Sequence, residues 1–446
     1  MKSYPKMKDS GVDWIGKIPE DWEVTRLKRI LTLLKDGTHN PPSRTDNGVL
    51  LLSAENIRDG FIDYENNISY ISEHDYNEMQ RTYQIQKDDV LLTIVGTIGR
   101  CSIVKHDIKF SVQRSVAILR LIKEVEPKFL FYLIHGNLFQ NQLFVGVNKA
   151  AQGGVYLGEI KNIIINLPKT KYEQNKIISF LDNQTSKIDS ELEKNQKLVE
   201  LLKEKRQAII EQVVTKGLDT SVPMKDSGIE WIGEIPEHWE IQILKNYSTH
   251  ITKGSTPTTY GFDWSDDQDD ILFVRNECVK ENQFNIEGSL RISKKAHDFM
   301  KRSKIVSGDI LISITGEIGR SCIFPDELGE ANINQHIARI HVILNKILPT
   351  YLVNLLNSKS YHTYFQVINQ GLTHAHLNLE QVRNIKIISP PINEQKQISD
   401  FLEKETTKIN SLILKAESHM EKLQEYRQSL ISFAVTGKID VREAVA

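Results

Sequence analysis

The sequence has few cysteines and no long apolar run, and each shortage excludes a class of protein. Cys101, Cys278 and Cys322 are too few and too scattered for a disulfide framework or a zinc knuckle, so we interpret them as structural thiols. Because no 18 consecutive residues are apolar, we expect no transmembrane helix and no membrane partner. The polar N-terminus lacks the apolar core of a signal peptide, which predicts a cytoplasmic protein.

The chain also has little net charge. Its formal charge is −2, whereas a small dedicated nucleic-acid-binding protein is usually basic, so the balance counts mildly against DNA binding. Acidic and basic surfaces can be segregated on a large chain, however, and near-neutrality is also expected where much of the surface faces protein partners. The 446 residues suggest two to four domains of ordinary globular composition.

The opening motif of the chain occurs twice. Residues 7–24 read MKDSGVDWIGKIPEDWEV, and residues 224–241 read MKDSGIEWIGEIPEHWEI. Further matching blocks follow in the same order, namely 88–100 with 308–320, 160–168 with 382–390, 173–189 with 394–410, and 206–219 with 427–440. The chain is therefore a tandem duplication, which predicts two similar lobes related by a pseudo-two-fold. Residues 40–85 and 257–305 differ between the copies, as expected for two sites that read different things.

Each copy is predicted to consist of an α/β (α+β) globular domain followed by a long helix. Short β-type runs alternate with turn residues and helical patches in the first part. In the second part of copy two, a heptad walk from Ile398 visits Leu402, Ile409, Leu412 and further positions, most of them apolar. The equivalent walk in copy one starts at Ile177 and reaches Leu198; it is weaker but keeps the same register. We expect the two helices to pack as an antiparallel coiled coil separating the lobes. The alternative is that each helix packs only on its own lobe.

These patterns set seven segments. They are an N-terminal segment 1–21, a first globular domain 22–168, a first helix 169–217, a linker 218–238 that repeats the N-terminal segment, a second globular domain 239–389, a second helix 390–437 and a tail 438–446.

Catalytic motifs are incomplete. Asn40-Pro41-Pro42-Ser43 lacks the aromatic fourth residue with which an adenine methyltransferase stacks on a flipped base. GTIGR and GEIGR lack the Lys-Ser/Thr of a phosphate loop, and the acidic run 263–270 lacks the Gly and terminal Glu of a calcium loop. We therefore expect a non-catalytic chain without a metal site.

Four repeated motifs carry a resemblance. They are WIGxIPxxW (14–22 and 231–239), the GDxL and IGR segments, the Glu-Gln helix starts (173–181 and 394–402), and the Arg-Gln endings (206–219 and 427–440). In this order, twice, they resemble the specificity subunit of type I restriction–modification enzymes over nearly the whole chain.

The resemblance implies two target recognition domains, each reading one half of a bipartite, asymmetric site in double-stranded DNA. It implies that the helices are spacers that fix the distance between half-sites and dock two methyltransferase subunits, with restriction subunits completing the complex. S-adenosylmethionine, ATP and magnesium would bind the partner subunits, and no cofactor would bind this chain. A coiled-coil assembly scaffold without DNA readout is the alternative from another class, and a fused methyltransferase or nuclease is the enzymatic one.

Base-reading side chains are polar or basic and lie on ordered loops. Three pairs of segments fit this description, with Arg100 and Arg320 of the glycine-rich turns as further candidates for nucleic-acid contact. The first pair comprises Lys35, Thr38, His39, Asn40 and Arg44 in copy one, and Lys253, Ser255, Thr256, Thr258 and Tyr260 in copy two. The second comprises Gln113 and Arg114, set against Gln335 and His336 with Asn334 nearby. The third comprises Lys149, Gln152, Thr373 and His374. We expect Lys149 to contact phosphate and not a base.

The first two sets and the glycine-rich turns also have a purely structural interpretation. The first set fits a polar surface loop, the second fits side chains that satisfy buried backbone groups, and the glycine-rich turns fit tight turns without ligand contact.

Overall fold

The computed structural model describes residues 2–38, 42–106, 108–147, 153–368 and 376–443. The chain forms two compact units. Unit 1 holds residues 1–196 and 417–446, and unit 2 holds residues 197–416. Because both boundaries fall inside long helices, each unit contains part of each long helix.

The elements of unit 1 begin at the first copy of the repeated motif. Its strands are β1 (Met7–Asp9), β2 (Lys17–Pro19), β3 (Trp22–Arg26), β4 (Leu31–Asp36), β5 (Val49–Leu52), β6 (Ile57–Arg58), β7 (Phe61–Ile62), β8 (Ser69–Ile71), β9 (Val90–Thr93), β10 (Cys101–Ile103), β11 (Phe110–Val112), β12 (Val116–Leu121) and β13 (Ile164–Pro168). Its helices are α1 (Glu73–Gln80), α2 (Pro127–His135), α3 (Asn137–Val147), α4 (Leu157–Asn162) and the start of α5 (Lys171–Lys216).

The elements of unit 2 begin at the second copy. Its strands are β14 (Met224–Asp226), β15 (Glu234–Pro236), β16 (Glu240–Ile243), β17 (Ser248–Lys253), β18 (Trp264–Ser265), β19 (Ile271–Val274), β20 (Val279–Lys280), β21 (Gln283–Phe284), β22 (Leu290–Ile292), β23 (Lys304–Ile305), β24 (Ile310–Ser313), β25 (Ser321–Ile323), β26 (Ala331–Ile333), β27 (Ile337–Val342) and β28 (Lys386–Ser389). Its helices are α6 (Lys294–Phe299), α7 (Pro349–Leu356), α8 (Lys359–Val367), α9 (Leu379–Arg383) and the start of α10 (Ile392–Val435).

Two sheets recur strand by strand in the two units. An antiparallel sheet has the order β10-β9-β12-β4 in unit 1 and β25-β24-β27-β17 in unit 2. A second sheet has the order β11-β5-β8 in unit 1, and its counterpart β18-β22-β19-β26-β23 gains a strand at each edge from the divergent insert. One parallel pair, β11 with β5 or β26 with β19, lies within each second sheet. The predicted tandem duplicate of a mixed α/β domain is confirmed.

The Glu-Gln motif explains how each long helix starts. Glu173 accepts a hydrogen bond from the indole Nε1 of Trp22 at 2.9 Å, and Glu394 accepts one from Trp239 at 3.1 Å. Both indoles are fully buried, so a carboxylate at the helix start satisfies a polar group that would otherwise lack a partner. The repeated tryptophan and the repeated Glu are therefore one structural device.

The glutamine of the motif is also buried and satisfied. Gln174 accepts from the backbone N–H of Glu126 at 2.9 Å, and Gln395 accepts from that of Leu348 at 2.8 Å. These two N–H groups lie directly before α2 and α7, so each long helix is hydrogen-bonded to the N-terminal end of a shorter helix in the same unit.

The second half of each long helix packs in the unit that holds the first half of the other. In unit 1, Arg427 of α10 bonds Asp189 of α5 at 2.8 Å. In unit 2, Arg206 of α5 bonds Asn410 of α10 at 2.7 Å. Each contact joins the first half of one helix to the second half of the other, as in an antiparallel pair.

The Arg-Gln motif adds a contact from helix to lobe. Gln428 donates to the carbonyl oxygen of His135, the last residue of α2, at 2.6 Å, and Gln207 donates to that of Asn357, directly after α7, at 3.0 Å. These amides satisfy carbonyl groups that a helix end leaves without a partner.

The predicted heptad walk is wrong in the middle of both helices. Ile409 is buried as expected, but Leu412 is 44% exposed and its neighbour Ile413 is 6% exposed. Leu198 is likewise 46% exposed, whereas Val199 is 2% exposed. A straight α-helix has 3.6 residues per turn and drifts from a 3.5-residue repeat, so a strict heptad walk loses the buried face.

The three cysteines are free and buried, and burial raises the pKa of the Cys322 thiol to about 12. Within the described ranges, no helix is long and apolar enough to cross a membrane.

Candidate nucleic-acid interface

In both units, the backbone after the edge strand crosses the end of a parallel strand at a glycine. A Cβ atom added to Gly37 would lie closer than 3.0 Å to the carbonyl oxygens of Val112 and Gln113, and one on Gly254 would meet Ile333 and Asn334 in the same way. Only glycine permits backbones to approach this closely. The crossing brings the first and second predicted segments together in each unit.

Hydrogen bonds hold the crossing in unit 1. The N–H of Thr38 donates to the Val112 carbonyl at 3.3 Å, and the N–H of Arg114 donates to the Thr38 carbonyl at 3.2 Å. Two segments chosen separately from the sequence thus lie side by side, with the Arg114 side chain exposed.

Side chains join the same two segments in unit 2. The Thr256 hydroxyl donates to Oε1 of Gln335, and Nε2 of Gln335 lies 3.1 Å from Nε2 of His336. The other His336 nitrogen, Nδ1, bonds the Thr315 hydroxyl at 3.0 Å. This chain of contacts orients an exposed amide at the loop tip.

The third predicted segment ends on the same edge. In unit 1, Ile94 donates to the Ser115 carbonyl and accepts from Val155, both at 2.9 Å. In unit 2, Ile314 bonds His336 and Leu377 in the same way, both at 2.9 Å. Six predicted contacts from the first and third segments lie outside the described residues, namely His39, Asn40, Lys149, Gln152, Thr373 and His374.

The glycine-rich segments are tight turns next to this edge. Gly96 and Gly99 have φ values of 77° and 92°, and Gly316 and Gly319 have values of 74° and 90°, which favour glycine. The Arg320 side chain pairs with Glu317, three residues earlier, and Arg100 is half-buried. The geometry favours the structural interpretation of the turns.

The backbone corrects the sequence alignment of the second set. The N–H of Gln113 bonds the Leu52 carbonyl at 2.8 Å, and its equivalent is the N–H of Asn334, which bonds Val274 at 3.1 Å. Gln113 therefore matches Asn334, not Gln335, and Arg114 matches Gln335. Matching the two glutamines by residue type shifted the sequence alignment of the two copies by one residue.

The first set needs the same correction. Lys253 pairs with Ala338 in the sheet, and the residue that pairs with the equivalent Ala117 is Asp36, not Lys35. Successive residues of a strand point to opposite faces, so Lys35 and Lys253 lie on different faces. Their proposed equivalence is wrong.

The remaining members of the first set lie beyond the crossing. Ser255 is half-buried, and Thr258 and Tyr260 are exposed on the short 3₁₀ helix Pro257–Tyr260. Tyr260 packs edge-on against Phe299 at 5.4 Å between ring centroids. Arg44 is exposed and directly precedes Thr45, which bridges to Tyr70.

Sequence reasoning missed two residues that hold the edge together. The Ser115 hydroxyl accepts from the N–H of Ala54 at 3.1 Å, and the Thr315 hydroxyl orients His336. Ser115 directly follows the predicted Arg114, and Thr315 lies within the repeated block 308–320. These positions in the sequence could have identified them.

Equivalent positions of the two crossings present different chemistry. Arg114 offers a planar set of charged donors, which suits guanine edges and phosphates, whereas Gln335 offers an amide, which suits adenine. In the part of the chain that the structure describes, no group of three or more His, Cys, Asp or Glu side chains is placed to hold a metal ion.

Two copies of one α/β unit, each with a glycine crossing and different exposed side chains, define a duplicated two-site recognition protein. The model of the type I restriction modification DNA specificity domain matches residues 19–200 and again residues 239–417. The chain therefore belongs to this family, and it is a specificity subunit of the type I restriction–modification class. The alternative of an assembly scaffold without DNA readout is not supported.

Known proteins resemble the chain over nearly its whole length. The type I restriction enzyme MjaVIII specificity subunit of Methanocaldococcus jannaschii is 24% identical over 96% of this chain and 95% of its own. One solved structure comes from work on complex assembly and conformational transition of the type I R-M system. It matches this chain with a TM-score of 0.72 at 16% identity, covering 95% of this chain and 99% of that one. The HsdS subunit of Thermoanaerobacter tengcongensis matches with a TM-score of 0.52 at 16% identity over 95% and 98%. These structural likenesses show the fold.

Proposed function

We propose that each unit reads one half of a bipartite, asymmetric target in double-stranded DNA through the edge built around its glycine crossing. The observation that carries this proposal is that one backbone device is built twice, at Gly37 and Gly254, with Arg114 at the tip of one and Gln335 at the tip of the other. A shared backbone positions the readers, and different side chains distinguish bases.

The long helices are proposed to set the spacing of the half-sites and to dock two methyltransferase subunits. Charged helices that expose several large apolar side chains are typical of surfaces that partners cover. The exposed residues are Leu198, Leu201, Leu412, Leu414 and Tyr426. A duplicated chain offers two similar surfaces, which suits two copies of one partner.

The chain itself is proposed to be non-catalytic and cytoplasmic. Methyl transfer from S-adenosylmethionine takes place on the methyltransferase subunits, and restriction subunits use ATP and magnesium to cleave DNA. Support comes from family membership and from the incomplete catalytic motifs, since the Asn40-Pro41-Pro42-Ser43 segment ends in serine.

A gel-shift titration tests the proposal. Bulk duplex DNA is titrated with the full chain alone and with the chain plus its methyltransferase subunit, and methylated sites are then mapped on host DNA. We expect a shift that the methyltransferase subunit strengthens, and a methylated sequence in two parts. Assembly with the methyltransferase subunit but no DNA shift in either sample contradicts the proposal.

Loss of one basic side chain is expected to weaken DNA binding at every sequence. Arg44→Ala or Lys253→Ala removes an exposed cation of the first predicted set, so the slope of log K against log salt falls by about 1. Fluorescence anisotropy between 50 and 200 mM salt (roughly the range over which phosphate contacts are resolved) measures it. Lys415→Ala, on the exposed side of α10, is the control, and an unchanged slope in the first two variants removes those residues from the interface.

A further inference from the structure

Unit 1 contains an apolar groove beside its first repeated motif. The groove has a volume of about 650 Å³ and lies among Trp14, Leu138, Gln142, Val145 and Phe433. Three of these side chains are more than half exposed, with values of 53% for Trp14, 56% for Val145 and 51% for Phe433. Large apolar side chains gathered around one cleft are typical of a binding site.

The corresponding tryptophan of unit 2 is covered by the chain itself. Trp231 stacks on Tyr364, with 4.5 Å between ring centroids and 18° between the rings. The WIG motif aligns Trp14 with Trp231, so the two units differ in how the same indole is treated.

Gln142 occupies the position of Tyr364. The buried residues of α3 and α8 align at one constant offset, with Phe139 matching Tyr361 and Leu143 matching Phe365. The same offset places Gln142 opposite Tyr364.

The glutamine side chain is drawn away from the indole by its hydrogen bonds. Its Oε1 accepts from the N–H of Ile164 and its Nε2 donates to the carbonyl of Ile164, both at 2.8 Å. A third bond runs from Nε2 to the Leu138 carbonyl at 3.0 Å. The face of Trp14 is therefore left open where unit 2 has a tyrosine ring.

We propose that the groove receives an aromatic side chain of the methyltransferase subunit, which stacks on Trp14 as Tyr364 stacks on Trp231. Unit 2 supplies the template for the occupant, a planar ring parallel to the indole. The source follows from continuity, because Ser432 and Phe433 of α10, together with Thr436 directly after it, line the groove, and α10 is proposed to dock that subunit. The inference thus rests on the proposed function.

One consequence is that the two methyltransferase positions are unequal. The subunit that docks at unit 1 gains an aromatic anchor in a pocket, which is the kind of contact that dominates binding energy. The subunit that docks at unit 2 meets an indole already covered by Tyr364.

Closing the groove with the ring that unit 2 uses tests the inference. The full chain carrying Gln142→Tyr is titrated with methyltransferase subunit, and native mass spectrometry resolves the two binding steps. We expect one step to weaken about 10- to 30-fold and the other to stay unchanged. Gln142→Ala removes the same amide and leaves the groove open, so this matched control retains both steps. Trp14→Ala, a change at an exposed side chain, is expected to weaken the same step as Gln142→Tyr.

Two results overturn the inference in different ways. If Gln142→Tyr and Trp14→Ala leave both steps unchanged, the groove takes no part in docking, while the proposed function stands. If in addition p-cresol binds the wild type in saturation-transfer NMR and not Gln142→Tyr, the occupant is a small aromatic molecule. If the wild type binds no methyltransferase subunit at all, the docking part of the proposed function fails together with the inference.

Discussion

Gly37→Ala is expected to abolish recognition of one half of the DNA target and to leave the other half intact. The new Cβ would collide with the backbone carbonyls of Val112 and Gln113, which cannot rotate away as a side chain would. Relieving such overpacking costs about 1–3 kcal/mol or more, and about 3 kcal/mol corresponds to a 100-fold loss of affinity. The edge that presents Arg114 would separate, whereas unit 2 keeps its own crossing at Gly254.

The matched control is Gly158→Ala in the same unit. An added Cβ there meets no heavy atom within 4 Å, and the residue lies within the short helix α4. Methylation mapping with each variant, in complex with methyltransferase subunit, measures the effect. A degenerate first half-site with a retained second half-site is the expected pattern for Gly37→Ala, and unaltered specificity in that variant contradicts the assignment of the crossing to DNA recognition.

The second large effect is expected on stability, from Asp89→Ala. The Asp89 side chain is 1% exposed and accepts two hydrogen bonds from Arg120, from Nε and Nη2, both at 2.8 Å. It also accepts from the N–H of Gln86 at 2.8 Å. Removing Asp89 leaves the Arg120 guanidinium without its counter-charge, with only the Gln84 carbonyl as an acceptor among the described residues. It also leaves the Gln86 N–H without a partner. Breaking a largely buried ion pair in this way costs about 3–5 kcal/mol.

Urea denaturation of the full chain, followed by circular dichroism, measures this cost. Glu78→Ala, which breaks the exposed pair with Arg81 in the same unit, is the control, and we expect it to cost less than about 1 kcal/mol. A double variant that replaces both Asp89 and Arg120 by leucine and methionine should recover much of the loss, because no charge is left unpaired. Equal midpoints for Asp89→Ala and Glu78→Ala would show that the pair is not structural.

The repeats in the sequence predicted the architecture of the chain. The two openings at Trp14 and Trp231 establish the duplication, and the long uninterrupted segments predict helices within two residues of the observed ends at Lys171, Lys216, Ile392 and Val435. The helices are local features of the chain, so the residues at their ends indicate where they start and stop, and the duplication follows from direct comparison of the two copies.

Contacts between distant residues were not accessible in this way. The Glu-Gln motif signals a helix start, but nothing in it shows that Glu173 receives the indole N–H of Trp22, 151 residues away. The heptad walk fails at Leu198 and Leu412 because the buried face of an α-helix rotates relative to a strict 3.5-residue repeat. Which residues are buried along the helix therefore depends on the neighbours that pack against it.

The sequence predicted which segments form the candidate site, but not which residues of the two copies are equivalent. Three segments of each copy meet at one edge, as expected of a binding surface, yet matching Gln113 with Gln335 by residue type gave a pairing that is off by one residue. Backbone hydrogen bonds, and not side-chain identity, set the equivalence of Arg114 with Gln335.

Exchange of one recognition segment tests the central claim most directly. Residues 40–165 are replaced by the matching segment of another specificity subunit, and the methylated sequence is mapped by single-molecule sequencing of DNA from cells that carry the methyltransferase subunit. If each unit is an independent reader, one half-site changes, while the other half-site and the gap between them are retained. A change in both half-sites, or in neither, contradicts the account.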